Sequence, residues 1–274
     1  MTVLKKLTLT AANNFPTTWT SDSKTVIFAS DRNGHWGIYK QDWNSDSADM
    51  VLSTEGYPYA RVSPDGKWII YYVQRSSRLT PVRLMRIPVT GGTPQLILTA
   101  PVVEYRCARA PAMMCAFDEN SSDGKRRVFR GFDPVNGNTW KLATFDTEPN
   151  AAYSWDLSPD STRIAITKIG SHHIYLLALN GPGRREITWS GSSGSGNWSG
   201  FDWSSDGTGL FVGHRSSFRT SLYFIALNGT VHLLWNPKSY FQTYGVPSPD
   251  GKDIALDAQE IDSNMWAVEN LESR

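Results

Sequence analysis

The segment Val62-Ser63-Pro64-Asp65-Gly66-Lys67, followed by the apolar run Trp68-Ile69-Ile70-Tyr71-Tyr72, decides how this chain folds. Proline presets φ and Asp-Gly closes a tight turn, so the segment reads as strand, turn, strand. Copies of it stand at Trp19-Thr-Ser-Asp22-Ser23, Leu157-Ser-Pro-Asp160-Ser161, Trp203-Ser-Ser-Asp206-Gly207 and Pro247-Ser-Pro-Asp250-Gly251. Successive aspartates lie 43, 95, 46 and 44 residues apart, and the doubled interval predicts one degenerate copy. Sliding Tyr59–Tyr71 onto Tyr105–Phe117 without a gap finds it. Pro111 then takes the place of Asp65, and Met114-Cys-Ala-Phe117 that of Trp68-Ile-Ile-Tyr71.

Each unit contains four short strands: one ending at the turn, one following it, a third of alternating character such as His173-Ile-Tyr-Leu-Leu177, and a fourth after a Gly-rich turn. No helical pattern of 10–15 residues separates the strands, so a βαβ arrangement is excluded. The expectation is an all-β fold, a six-bladed β-propeller of four-stranded antiparallel blades forming a single domain over 1–274. The blades fall roughly at 10–54, 55–100, 101–147, 148–190, 191–236 and 237–274. The last unit lacks a fourth strand, and Val3–Leu9 is expected to supply it by pairing with Asn264–Val268, closing the ring and removing exposed edges.

Hydrophobic residues make up 40% of the chain and charged residues 19%, as suits a packed core. A net charge of +1 argues against bulk attraction to nucleic acid or an anionic membrane surface. There is neither an 18-residue apolar run nor a signal-peptide pattern, so neither membrane insertion nor secretion by this segment is expected. The chain reads as a monomer, either cytoplasmic or part of a longer protein. Cys107 and Cys115 stand equally far from Pro111, so a hairpin turning there sets them opposite each other on neighbouring strands. A disulfide between them competes with the reading as two small buried apolar side chains, and would point to an extracytoplasmic compartment.

The turn, together with Ser30-Asp-Arg-Asn-Gly-His-Trp-Gly-Ile-Tyr39, resembles the TolB-type, WD-like propeller repeat over nearly the whole chain. The stretches Tyr105-Arg-Cys-Ala-Arg-Ala-Pro-Ala-Met-Met-Cys115 and Phe132-Asp-Pro-Val-Asn-Gly-Asn138 are similar to C-terminal propellers of certain bacterial serine/threonine kinases and transcriptional regulators. The resemblance implies a sensor or interaction domain within a larger bacterial signalling or envelope protein.

In a propeller, the loops between second and third strands share one face with the blade-to-blade segments, and the Asp-containing turns occupy the other. The first face gathers Arg32, His35 and Trp36, then Arg75, then His214 and Arg215. Blade-to-blade segments add Tyr59, Tyr105, Tyr153, Trp198 and Tyr244. Arginine and aromatic side chains bury area with directional contacts, so this face is the expected site for a protein segment, a peptide or a small ligand. The bland alternative is inter-blade packing for the aromatics and solvated arginines. Asp22, Asp65, Asp160, Asp206 and Asp250 read as turn residues capping their own backbone, since recurrence at every turn is a structural signature.

No catalytic residue, metal site or cofactor is assigned. The Gly191–Gly200 stretch lacks Gly-x-Ser-x-Gly, no phosphate loop is present, and adjacent His172 and His173 point to opposite faces of a strand. The competing reading is a lactonase- or lyase-like enzyme with a metal in the central channel. Thr18, Arg61, Asp156 and Asp202, four residues before their turn aspartates, are the inward positions, and they offer only two carboxylates.

Overall fold

A computed structural model describes residues 5–73, 81–190, 197–215, 220–236 and 240–260, with backbone alone at 197–199, 240–244 and 258–260. Five sheets are antiparallel four-stranded meanders. The first holds β1 (Asn14–Trp19), β2 (Thr25–Ser30), β3 (Gly37–Asp42) and β4 (Asp49–Ser53). The second holds β5 (Pro58–Val62), β6 (Trp68–Val73), β7 (Val82–Pro88) and β8 (Gln95–Ala100). The third runs β9 (Tyr105–Cys107), β10 (Cys115–Asn120), β11 (Arg126–Phe132), β12 (Thr139–Asp146). The fourth runs β13 (Tyr153–Leu157), β14 (Arg163–Lys168), β15 (His173–Ala178), β16 (Arg184–Thr188). The fifth runs β17 (Asn197–Trp203), β18 (Gly209–Arg215), β19 (Thr220–Ala226), β20 (Val231–Trp235). A two-stranded sheet of β21 (Tyr240–Pro247) and β22 (Ile254–Glu260) follows.

The first strands β1, β5, β9, β13, β17 and β21 neighbour one another in chain order, and β21 returns to β1, which makes the array a β-propeller. Each sheet buries its faces against the next. Ala165, Ile174 and Trp189 of the fourth sheet and its trailing segment pack on Phe201, Trp203 and Val212 of the fifth. Ile70 and Leu84 of the second pack on Cys115, Phe117 and Phe132 of the third. Trp19 and Val26 meet Val246 and Ala255 where the ring closes. Trp19, Trp155 and Trp203 are all buried in these seams.

The recurring turns explain their own sequence. In all five, the aspartate Oδ1 accepts from the hydroxyl two residues earlier at 2.5–2.7 Å and from the amide two residues later at 3.0–3.2 Å. The residue after the aspartate has left-handed backbone, with φ of 72°, 67° and 74° at Gly66, Gly207 and Gly251. Ser23 holds the same position at φ 60°, where its Oγ accepts the Asp250 amide at 3.0 Å across the closing seam. Ser161 takes it too, at φ 55°, so the turn imposes this conformation on serine as well as on glycine, for which it is free of strain.

The degenerate third unit has no such clamp. Arg109 and Pro111 take the places of the hydroxyl residue and the aspartate, and Cys107 and Cys115, which face each other across β9 and β10 to either side of that turn, are disulfide-bonded. A clamp of the same design, Ser121 to Asp123 at 2.5 Å, appears one turn later, between β10 and β11.

The closing strand expected over Val3–Leu9 does not form within residues 5–9. Instead Lys5 Nζ donates to the Trp43 carbonyl at 2.6 Å, and the Leu7 carbonyl accepts from the Gln41 side chain at 2.7 Å. The Leu7 carbonyl, which a ladder would use, is thereby occupied. The rest of that strand and Asn264–Val268 lie outside the described residues.

Two seams carry the same bond. Trp19 Nε1 donates to the Val246 carbonyl at 2.9 Å, and Trp203 Nε1 to the Asp156 carbonyl at 3.2 Å. Both indoles sit three residues before a turn aspartate, and both acceptors four residues before one, in the preceding sheet. Replacing Trp19 or Trp203 by Phe strands a buried carbonyl and should lower stability by about 1–3 kcal/mol each in urea unfolding. Denatured, unreduced protein should show no reactive thiol, and both cysteines after reduction.

Candidate functional site

Side chains from the first strands meet on the axis of the ring. Arg61 Nη2 lies 3.6 Å from Asp202 Oδ1, and the same guanidinium donates to the Thr17 carbonyl. Arg106 Nε is 3.5 Å from Asp156 Oδ1, while its Nη2 reaches Glu104 at 3.2 Å. Asp156 accepts amide N–H bonds from Leu157 and Trp203, both at 2.8 Å. Burial and the neighbouring Asp202 carboxylate raise its pKa above the usual range.

These pairs separate two cavities, and Arg61 and Arg106 border both. The cavity on the side of the Asp turns is about 560 Å³. Arg109 stands in it with Nη2 at 3.4 Å from the Pro247 carbonyl and Nη1 buried without a hydrogen-bond partner among the described residues. Desolvation lowers the pKa of that guanidinium.

The opposite cavity, about 660 Å³, is aromatic. A continuous row of rings runs along it: Phe15 to Trp36 at 6.1 Å, Trp36 to Tyr57 at 5.0 Å, Tyr57 to Tyr59 at 4.8 Å, Tyr59 to Tyr72 at 4.8 Å and Tyr72 to Tyr105 at 5.8 Å. Phe201 and Tyr153 face the row from the fifth and fourth sheets. The cavity also contains Asp257 of β22, 5% exposed, whose Oδ2 has no partner among the described residues. Burial pushes its pKa up to about 7.

Four of the residues expected on this face line the cavity: Trp36, Tyr59, Tyr105 and Tyr153. Arg32 instead folds back on its own sheet, 4.9 Å from the Phe28 ring centre and 4.8 Å from that of Tyr39, and donates to Asn14 at 3.0 Å. His35 is exposed in the loop after β2 and does not border the cavity. His214 is buried within β18 beside Tyr223, and desolvation with nearby His172 lowers its pKa. Arg215 ends β18 away from either cavity. Arg75 lies outside the described residues, as do the side chains of Trp198 and Tyr244. Phe15, Tyr72, Glu104 and Asp257 are the residues that motif reading missed. Asp257 had one signal: it is a charge within the apolar run Ile254-Ala-Leu-Asp257-Ala.

No protein-family model matches the chain, and no curated protein does. Solved structures match it by fold. TolB from Acinetobacter baumannii superposes with a TM-score of 0.62 at 19% identity, over 84% of this chain and 55% of that one, so the chain spans about half its length. A putative TolB from Agrobacterium tumefaciens gives 0.59 at 16% identity over 92% of both chains. An oligogalacturonate lyase in complex with manganese gives 0.58 at 15% identity, over 87% of this chain and 69% of that one. These likenesses, with the ring of meanders, define the fold as a β-propeller similar to those of TolB and the lyase.

Asp257 gives the site a measurable pH signature. Its folded-state pKa of about 7 stands above the ordinary aspartate value of 3.8, so between the two the folded protein retains a proton that the unfolded chain has released. Its contribution to stability is therefore greatest below about pH 4 and is lost as pH rises toward 7. Asp257→Asn should melt roughly 4–8 °C higher than wild type at pH 8, a gain on the order of 2 kcal/mol, and nearly level with it at pH 4.

Proposed function

We propose that this chain is a non-catalytic, ligand- or protein-binding propeller whose recognition site is the aromatic cavity. The observation that carries the reading is the unbroken row of rings from Phe15 to Tyr105 along a concavity of about 660 Å³, a size typical of ligand pockets. Aromatic side chains supply large contact area at low entropy cost, which suits a protein segment, a peptide or a small ligand. The TolB-type neighbours favour an interaction role.

The reading extends to the rest of the molecule. The propeller has six blades in one domain over 1–274, since β21–β22 sits where a blade belongs and bonds to Trp19 as the fourth sheet bonds to Trp203. It acts as a monomer without nucleic acid, as the sensor or interaction module of a larger bacterial signalling or envelope protein. The Cys107–Cys115 disulfide suits an oxidising compartment.

A second reading, a lyase-like enzyme with a metal in the channel, draws on the oligogalacturonate lyase neighbours. Among the described residues no three His, Cys, Asp or Glu side chains gather as metal ligands. Elemental analysis of the purified protein separates the two: stoichiometric, tightly held metal would favour the enzyme. For the binding reading, compounds and peptides that shift the melting temperature should lose their effect on the double variant Trp36→Ala with Tyr59→Ala, while Thr188→Ala, on the fourth sheet's outer strand, leaves it intact. Undiminished binding to the double variant would move recognition elsewhere.

A further inference from the structure

The repeat supplies an internal control for one side chain. Asp118 and Asp257 occupy the same position, seven residues after the turn residue at 111 and at 250, on the second strands β10 and β22. Asp118 is buried and satisfied: Arg127 Nη1 donates to Oδ2 at 2.9 Å and the Glu104 amide to Oδ1 at 2.8 Å. Asp257 is buried too, yet its Oδ2 has no donor among the described residues, and the carboxyl borders the aromatic cavity. A buried acceptor left without a donor or counter-charge is costly, and proteins keep such a group where a ligand completes it.

The other charges of the cavity do not fill that role. Arg61 is engaged with Asp202 and the Thr17 carbonyl, and Arg106 with Glu104 and Asp156. The buried Asp257 carboxylate therefore calls for a donor or a positive charge from outside. Aromatic rings present a negative face, and a cation held against them gains most when it is weakly hydrated. A carboxylate beside a wall of Phe, Trp and Tyr is the chemistry that recognises an alkylated ammonium.

We infer that the aromatic cavity binds an alkylated ammonium ion, with Asp257 as its counter-charge and Trp36, Tyr57 and Tyr59 as its wall. The assignment rests on the cavity being the binding site and names the ligand class. A free small molecule and a modified lysine on a partner both carry that ammonium, and the recognised chemistry is the same.

The test is isothermal titration at pH 8 with choline chloride and with 3,3-dimethylbutan-1-ol, which has the same shape without the charge. Choline should bind about tenfold or more tightly than the alcohol. Asp257→Asn should weaken choline about tenfold and leave the alcohol unchanged, and Trp36→Ala should weaken both. A peptide bearing trimethyllysine, titrated against its norleucine counterpart, distinguishes the source; a preference for the trimethyllysine peptide that Asp257→Asn abolishes supports the same site. Equal affinity for choline and the alcohol, choline binding indifferent to Asp257→Asn, or no saturable binding of any cationic probe overturns the assignment. If one of these outcomes is found and Trp36→Ala still abolishes binding of the alcohol, the cavity stands as a binding site although the cation assignment has failed.

Discussion

A four-stranded meander has two faces to cover, and here each sheet covers them only with its neighbours. That constraint governs the rest of the molecule. The apolar clusters lie in the seams and not on the axis, so residues that are merely hydrophobic in sequence become inter-sheet contacts. The seams are also where buried polar atoms must be satisfied. The indoles of Trp19 and Trp203 meet that demand by donating to carbonyls one sheet back. Tyr105 does the same with its hydroxyl, 2.6 Å from the Ile70 carbonyl.

Packing around the seams leaves the axis to polar groups. Six inner strands converge there, and charges so enclosed persist only in pairs. Arg61 pairs with Asp202 across the ring and Arg106 with Asp156 of the next sheet, which divides the channel into an acidic-turn side and an aromatic side. The five turn aspartates border solvent, but each is occupied by its own Ser or Thr hydroxyl and a local amide, so their number builds turns and not a carboxylate site.

The fold was legible because a turn imposes strict local chemistry that repeats with the unit. Ser or Thr, then Asp, then a left-handed residue is a pattern that backbone geometry enforces, and the missing copy could be recovered by alignment of Tyr59 with Tyr105. The same alignment set Cys107 and Cys115 opposite each other. The site was legible in part. Trp36, Tyr59, Tyr105 and Tyr153 were found because loops between second and third strands and blade-to-blade segments must end at one face. Arg32 misled because chain position predicts the face but not the rotamer, and two rings of its own sheet compete for the guanidinium. Asp257 escaped because a single acid in an apolar strand looks the same in sequence whether it meets an arginine, as Asp118 does, or nothing.

That contrast explains how a repetitive scaffold yields a site that is not repeated. The inner positions four residues before each turn centre are Thr18, Arg61, Cys107, Asp156, Asp202 and Val246, six places of one geometry with almost no chemistry in common. The aromatic row belongs to the first three sheets, while Asp257 belongs to the last, which adjoins β1 through Trp19 and Val246. Phe15 on β1 and Asp257 on β22 therefore border one cavity from opposite sides of the closing seam. The shape of the site depends on ring closure, so a contact that completes the cavity also binds the two ends of the array together, and ligand affinity and closure of the ring are thermodynamically linked.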